Sequence, residues 1–503
     1  MAGTGATGQK RSTLGALGLT ARGGADAIIT GITADSREVR EGTLFAALPG
    51  VKFHGAEFIQ YALPMGAAAI LTDQEGERIA ADVLEGTTAA IVVAEDPRQT
   101  LAQTAALWFG RQPDVAVAVT GTNGKTSVST FCRMIWEELD RKAVNLGTTG
   151  VEGYWTNPLK HTTPDPITLH RVMAEAAQAG VTHLAMEASS HGLDQRRLDG
   201  VVLKAAGFTN FTQDHLDYHK TFDAYFNAKM GLFTRVLPDD GVAVINIDDP
   251  KGPEVANIAE DRDQRTILVG SDEAADLRLL GQRFDATGQD LRFSWGSKVY
   301  TARLNLIGGF QAQNVLLAAG LVIGAGEDPA HVFDTLPHLT TVRGRMELAA
   351  TRTNGAAVYV DYAHTPDAVE TALKAIRPHV MGRIVAIVGA GGDRDAGKRP
   401  LMGKAAAEFA DVVIVTDDNP RSEDPASIRA AVMEGAIAAG GDPTEVGDRA
   451  EAILRGVDAL QPGDALLIAG KGHETGQIVG DLVLPFDDAE QASIAVAALE
   501  GRI

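Results

Sequence analysis

Short apolar runs that stop at polar residues recur along this chain at intervals that leave room for helical patterns between them. In the first part they are 28–32, 43–48, 67–71 and 89–93, which read as strands interleaved with short helices. A second set, 115–119, 181–186, 205–209 and 242–247, and a third, 358–360, 384–388, 412–415 and 465–469, repeat the design. Near-continuous apolar strands separated by helices suit a parallel sheet covered on both faces, so the fold class is α/β with mostly parallel sheets. Ligands of such sheets lie beyond the carboxyl ends of the strands, where Glu187, Asn210 and Asn246 emerge.

A chain of 503 residues exceeds one hydrophobic core and predicts about three domains. The polar, proline-containing break at Arg111, Gln112, Pro113 and Asp114 and a second break at 337–341 divide it into residues 1–112, 113–341 and 342–503. The longest apolar runs, such as 67–71 and 115–119, fall far short of the ~18 residues that span a bilayer. The Gly-, Ala- and Thr-rich start carries no apolar block of signal-peptide length, so a cytoplasmic protein without membrane insertion is expected. Cys132, the single cysteine, excludes an internal disulfide framework, and its place after the glycine turn described next makes it a packing residue. With 45 basic against 66 acidic residues, the net charge of −21 repels nucleic acid and offers no polybasic face to lipid. Anionic small substrates remain open where local Arg, Lys and metal ions override that field.

Candidate chemistry begins at Thr120, Gly121, Thr122, Asn123, Gly124, Lys125 and Thr126, between a strand pattern and the helix-like run 127–139. Such a turn aims backbone N–H groups and a helix dipole at phosphate oxygens, while the lysine adds charge and the last threonine a hydroxyl for Mg²⁺. Only Thr122 and Asn123 separate the two glycines, so the spacing departs from the usual P-loop; the strand and helix on either side support a nucleotide triphosphate site. Glu187 with Ser189 and Ser190 suits a Mg²⁺ ligand and substrate hydrogen bonds, or else a helix N-cap. The run from Asn210 to His219 crowds Asp214, His215, Asp217 and His219 together, as a zinc site or as a solvated polar loop. Lys229, among Phe226, Met230 and Leu232, either snorkels to water or, if buried and neutral, can react with CO₂ to give an anionic carbamate able to ligate Mg²⁺.

Further along, the turns 304–314, with Asn314, and 343–347, with Arg345, either clasp a nucleotide or shape a domain junction, and Asp361 offers a carboxylate nearby. The run Gly389, Ala390, Gly391, Gly392, Asp393, Arg394 imitates a dinucleotide fingerprint but has Arg394 in place of the third glycine, so an anion-binding turn is preferred. Asp418, Asn419, Pro420 and Arg421 follow a second strand; Gly470, Lys471, Gly472, His473 and Glu474 follow a third. Together these three loops can hold a zwitterion, with Arg for its carboxylate and Glu for its ammonium, or they are three ordinary strand-to-helix turns.

In order and over essentially the whole chain, these motifs resemble the Mur ligases, ATP-dependent amide-forming enzymes of bacterial cell-wall precursor synthesis. The resemblance rests on the 120–126 loop, Glu187, His215, Ala228 with Lys229, Asn314, Arg345 and Asp361. It implies a UDP-sugar-binding N-terminal domain, a central P-loop ATPase-like parallel sheet and a Rossmann-like C-terminal domain that binds an amino acid. The Asp418-Asn419-Pro420-Arg421 run resembles the signature of the diaminopimelate-adding type, from which lysine-adding relatives differ at the arginine. It further implies ATP and Mg²⁺ as cofactors, with Thr126 and Glu187 on one metal ion, and His215 and a carbamylated Lys229 on the second. Lys125, Lys229 and His215 would be catalytic, with Asn314, Arg345 and Asp361 beside ATP. Ser36, Val51, Lys52 and Phe53 would hold the uridine end of UDP-N-acetylmuramoyl-dipeptide. Thr162, Thr163, Ser189, Gln195 and Arg197 would grip its sugar-peptide part, and Arg394, Asp418, Asn419, Pro420, Arg421, Gly470 and Glu474 would orient meso-diaminopimelate. Gln311 and His161 stand where relatives carry Asn, and both are left out of the site. A lysine-adding ligase, a folylpolyglutamate synthetase, a non-catalytic nucleotide-binding switch and a dehydrogenase built on 389–394 stay as alternatives.

Overall fold

The computed structural model describes residues 10–50, 52–159, 161–212 and 218–502. Three larger sheets follow one another along the chain, with two small two-stranded pairs beside them. The first is a four-stranded parallel sheet of Gly31–Thr33, Thr43–Ala46, Ala67–Thr72 and Ala90–Val93, paired in chain order, with a separate apolar cluster on each face. The run 28–32, expected as one strand, is split. Ile28–Ile29 pairs antiparallel with Ser12–Thr13, and the chain changes ladders where Thr30 turns its N–H to Gly42 O (2.8 Å) and its hydroxyl to Glu41 O (2.7 Å).

The second sheet has ten strands. At its centre Val115–Thr120 lies between His183–Glu187 and Ala205–Phe208, all parallel, so their carboxyl ends open on one edge. Outside Val242–Asn246 and Arg265–Gly270, the sheet continues into an extension of Leu277–Asp285, Gly288–Trp295 and Lys298–Leu304, whose inner ladders are antiparallel. No apolar run announces it, because its strands alternate: Leu291 and Phe293 face the core while Asp290 and Arg292 face water. Phe310–Gly324 is apolar on nearly every side and buried along most of its length against Lys125–Glu138, which fixes the helix that follows the 120–126 turn. Cys132 packs in this core; its thiol donates to Ala318 O (3.7 Å), and burial pushes its pKa up.

The third sheet places Glu347–Thr351 antiparallel to Ala357–Asp361, then Ala465–Ala469, Ile384–Val388, Val412–Val415 and Thr444–Glu445 in parallel. Below its carboxyl edge the fully buried Arg449 pairs with the fully buried Asp488 at 2.6 Å. The same guanidinium donates to Ala469 O (3.0 Å) and Asp417 O (3.3 Å), tying two strand ends together from beneath. Among the described residues no helix is long and apolar enough to cross a membrane.

Candidate active site

Between the second and third sheets lies a cavity of about 440 Å³ that brings together Thr122, Asn123, Gly124, Lys125, Thr126, Thr162, Glu187, Ser189, Lys229, Asn314, Arg345 and Asp361. Asn210 and Asn246 also line it, as expected of residues at parallel strand ends. Its floor is the turn from Val115–Thr120 into Lys125–Glu138. Gly121 has φ 144°, and a Cβ there would run into Thr209 Oγ1, so the turn needs glycine both for its conformation and for close approach. The neighbouring strand end then clamps the loop. Thr122 N donates to Asn210 O (2.9 Å), Asn123 N to Asn210 Oδ1 (2.9 Å), Thr209 Oγ1 to Asn123 O (2.6 Å) and Thr212 N to Thr122 Oγ1 (3.0 Å). This leaves the first-turn N–H groups of the helix, which have no intrahelical acceptors, facing the cavity as an anion site. Lys125 Nζ lies over the loop, donating to Gly121 O (2.9 Å) and Thr122 O (2.8 Å).

Glu187 meets this turn from the next strand. Its carboxylate accepts from Thr126 Oγ1 (3.0 Å), Thr148 N (2.8 Å) and Thr148 Oγ1 (3.3 Å), while Ser189, not Glu187, caps the short helix Ser190–Asp194. A hydroxyl and a carboxylate in contact beside a phosphate site are hard oxygen donors, and that set fits Mg²⁺ with substrate oxygens and water completing the shell. Among the described residues no group of three or more His, Cys, Asp or Glu forms a ready-made cage. His215, the other expected ligand, and Val51, expected at the uridine, lie outside the described residues.

Lys229, on Phe222–Gly231, does not snorkel. It is 1% exposed, its Nζ donates to Gly121 O (2.7 Å) and it sits 4.6 Å from the centre of the Tyr225 ring. The third sheet reaches into the same cavity through Arg345, which donates to Thr126 Oγ1 (3.2 Å) and lies 4.5 Å over the Tyr362 ring. Asp361, held by Met346 N (2.7 Å), has its pKa raised by burial, with Arg345 opposing. His473, on the 470–474 loop, packs its ring 5.1 Å from Tyr362, and burial together with Arg345 and Arg343 pushes its pKa down to about 4.

Other expected residues stand in two further groups. Thr163 accepts from Ser189 Oγ (3.0 Å) and donates to Glu187 O (3.0 Å); Arg197 donates to Thr163 O (2.6 Å) and to Gln195 Oε1 (2.8 Å). Gln195 in turn donates to Tyr218 OH (3.1 Å), a residue not singled out from the sequence, so this group forms one continuous wall beside Glu187. Ser36, half-buried on the turn Ser36–Glu38, and exposed Lys52 and Phe53 belong to the first sheet's unit and do not line the cavity.

The second group surrounds the carboxyl edge of the third sheet. Arg421 (φ 52°) donates to Gly392 O (2.8 Å), and Gly392 N donates to Asn419 O (2.9 Å). A Cβ on Gly392 would collide with Pro420 O. The glycines that imitate a dinucleotide fingerprint therefore let one loop rest against the next, which removes the reason for a dehydrogenase reading. Asp418, Asn419 and Pro420 are buried, Gly470 is buried, Glu474 is half-exposed and Arg394 reaches into solvent. Thr148, Asn210 and Asp367 also line the cavity, and Lys471 joins the 418–421 loop through Asn419. Lys471 lies in the 470–474 loop, yet its neighbours are set by folding, so no local pattern marks it.

Comparison with known proteins bears on the whole chain. Residues 28–109 match the model described as Mur ligase family, catalytic domain, residues 119–322 the Mur ligase middle domain, and residues 344–472 the Mur ligase, glutamate ligase domain. UDP-N-acetylmuramoyl-L-alanyl-D-glutamate--2,6-diaminopimelate ligase of Caulobacter vibrioides is 50% identical over 95% of this chain and 96% of that protein. The protein of the same name from Bradyrhizobium diazoefficiens is 50% identical over 93% and 95%. A solved structure of a ligase of that name superimposes with a TM-score of 0.69 at 34% identity, covering 94% of this chain and 95% of the other.

Proposed function

The chain belongs to the Mur ligase family, and from that premise we propose that it joins meso-diaminopimelate to UDP-N-acetylmuramoyl-L-alanyl-D-glutamate at the expense of ATP, in peptidoglycan precursor synthesis. It is an ATP-dependent, amide-forming ligase. One observation carries the reading at the level of geometry: Arg345 crosses from the third sheet's unit to Thr126, which bonds Glu187, so the unit that would hold the amine meets the nucleotide and acid site at one cavity. In this reading residues 1–112 hold the UDP-sugar, 113–341 hold ATP and 342–503 hold the amino acid, and the reaction runs in the cytoplasm, where both nucleotides are at hand.

The physical obstacle is charge. A carboxylate must attack the γ-phosphorus of ATP although both are anions, forming an acyl phosphate as ADP leaves. The first-turn N–H groups of Lys125–Glu138 and the Lys125 ammonium, moved from its carbonyls onto phosphate oxygens, offset that repulsion. Arg345 adds a second cation, and Asn314 and Asp361 border the nucleotide. Mg²⁺, which Thr126 and Glu187 would hold, supplies Lewis-acid neutralisation of the phosphate charge. A carbamylated Lys229, with His215, would supply ligands for a second ion. The wall of Thr162, Thr163, Ser189, Gln195 and Arg197 orients the peptide, while Ser36, Val51, Lys52 and Phe53 hold the uridine. Arg394 and Arg421 then face the amino acid's carboxylate and Glu474 its ammonium, while the 418–420 segment and Gly470 orient it. The free amine attacks the acyl carbon, phosphate leaves and the nitrogen gives up a proton.

The test is product formation followed by mass spectrometry, with the peptide nucleotide and ATP and either meso-diaminopimelate or lysine. Tripeptide nucleotide is expected with diaminopimelate; equal use of the two amines would defeat the specificity, and undiminished turnover in a chelator would defeat the metal.

A further inference from the structure

Lys471 is a buried cation that the mechanism above does not use. Its side chain is 0% exposed, which for an ammonium requires compensation by pairing with an opposite charge and hydrogen-bond acceptors. The pairing closes a triangle. Lys471 Nζ donates to Asn419 Oδ1 (3.0 Å) and to Glu474 Oε2 (3.0 Å), and Asn419 Nδ2 donates to the same Glu474 oxygen (2.9 Å). The second lone pair of Asn419 Oδ1 is taken by Ile478 N (2.9 Å), from the strand Gly476–Val479. Asn419 therefore has little bonding capacity left for a ligand: its carbonyl oxygen is saturated and one amide hydrogen remains.

The carboxylate shows the consequence. Both hydrogen bonds that the Glu474 carboxylate accepts in the triangle fall on Oε2, which leaves Oε1 outside it. A compact ammonium can serve two acceptors 3.0 Å away inside a closed space, which a planar guanidinium of greater length cannot do without moving them. We infer that Lys471 is the positioning residue of the amino-acid site, locking Asn419 and Glu474 so that a single carboxylate oxygen is presented to the ammonium of the incoming diamine. This rests on the reading of that site given above and names the device that shapes it. Remove the ammonium, and Asn419 Oδ1 and Glu474 Oε2 lose the donor that holds them together, so the carboxylate can rotate and the 418–421 segment loses a tie to the 470–474 loop.

The experiment is a steady-state cycle in the full-length protein with Lys471→Met, Glu474→Gln and the double variant, varying ATP, peptide nucleotide and meso-diaminopimelate separately. Lys471→Met is expected to raise the KM for diaminopimelate by ~10-fold or more, the scale of a lost charged hydrogen bond, with the KM values for the two nucleotides moving less than ~2-fold. On the Glu474→Gln background the same change should add less than ~3-fold, because the geometry it protects is already gone. Equal rises in all three KM values, no rise at all, or full additivity in the double variant would overturn the inference. If Lys471→Met does not fold, Lys471→Gln, which can donate to one acceptor, takes its place in the cycle; failure of both to fold assigns the residue to stability alone and also overturns it. An unmodified protein that consumes no ATP with diaminopimelate would instead overturn the function, a separate result.

Discussion

The proposed phosphate loop and the proposed amino-acid pocket both lie at the carboxyl ends of parallel strands, yet they are built in opposite ways. The first is one run of seven residues, 120–126, whose strand, turn and helix are local. The second is three loops, 389–394, 418–421 and 470–474, that touch through Gly392, Asn419 and Lys471. A contiguous motif carries its chemistry in the order of its residues, whereas a composite pocket carries it in contacts between residues as much as 55 positions apart, such as Asn419 and Glu474. Changes on the nucleotide side should therefore strike turnover with any amine, and changes on the amine side should strike recognition of the amine.

The largest expected effect sharpens this contrast: Lys229→Ala should abolish turnover with both nucleotides bound, measured as phosphate release at saturating substrates. Retained turnover would remove Lys229 from the nucleotide side altogether. Lys125→Ala should lower kcat by about 10²–10³-fold, the scale of losing one preorganised charge at a reacting centre, with the KM for diaminopimelate unchanged. A selective rise in that KM would blur the two regions. Beneath the amine pocket, Asp488→Ala leaves Arg449 buried without its carboxylate and should cost about 3–5 kcal/mol of stability by urea unfolding. Arg421→Ala should raise the diaminopimelate KM by about 10-fold, by loss of a charged hydrogen bond, and leave the ATP KM alone.

The smallest effect compares one histidine from each region under acid. Burial lowers His170, in the second sheet's unit, and His473, in the amine loop, from 6.5 to about 4 in the folded protein. Each stays neutral when folded but takes up a proton more readily when unfolded, so its contribution is complete above pH 6.5 and is lost as pH falls toward 4. His170→Gln and His473→Gln should each flatten the fall in unfolding free energy, read from urea titrations across that window, by on the order of 1–3 kcal/mol in total. An unchanged slope in His473→Gln would mean that its loop opens to water before the protein unfolds.

The sequence alone determined the α/β class, the parallel strands with their polar ends, the phosphate loop and the placement of Glu187, Asn210 and Asn246 at one edge. Those features are short-range: an apolar run buried on both faces and a glycine turn between strand and helix are visible within a dozen residues. Family resemblance added what each domain would bind and the substrates. Only the tertiary structure decided that Lys229 is buried against Gly121, that Arg345 bridges two sheets, that the 389–392 glycines serve loop contact and that Lys471 ties Asn419 to Glu474. It also revealed the antiparallel extension, whose alternating faces leave no apolar run to read. The physical reason is the same in each case: burial and partnership belong to pairs of residues distant in the chain, and a side chain's chemistry is set by which partner the folded backbone brings within 3 Å.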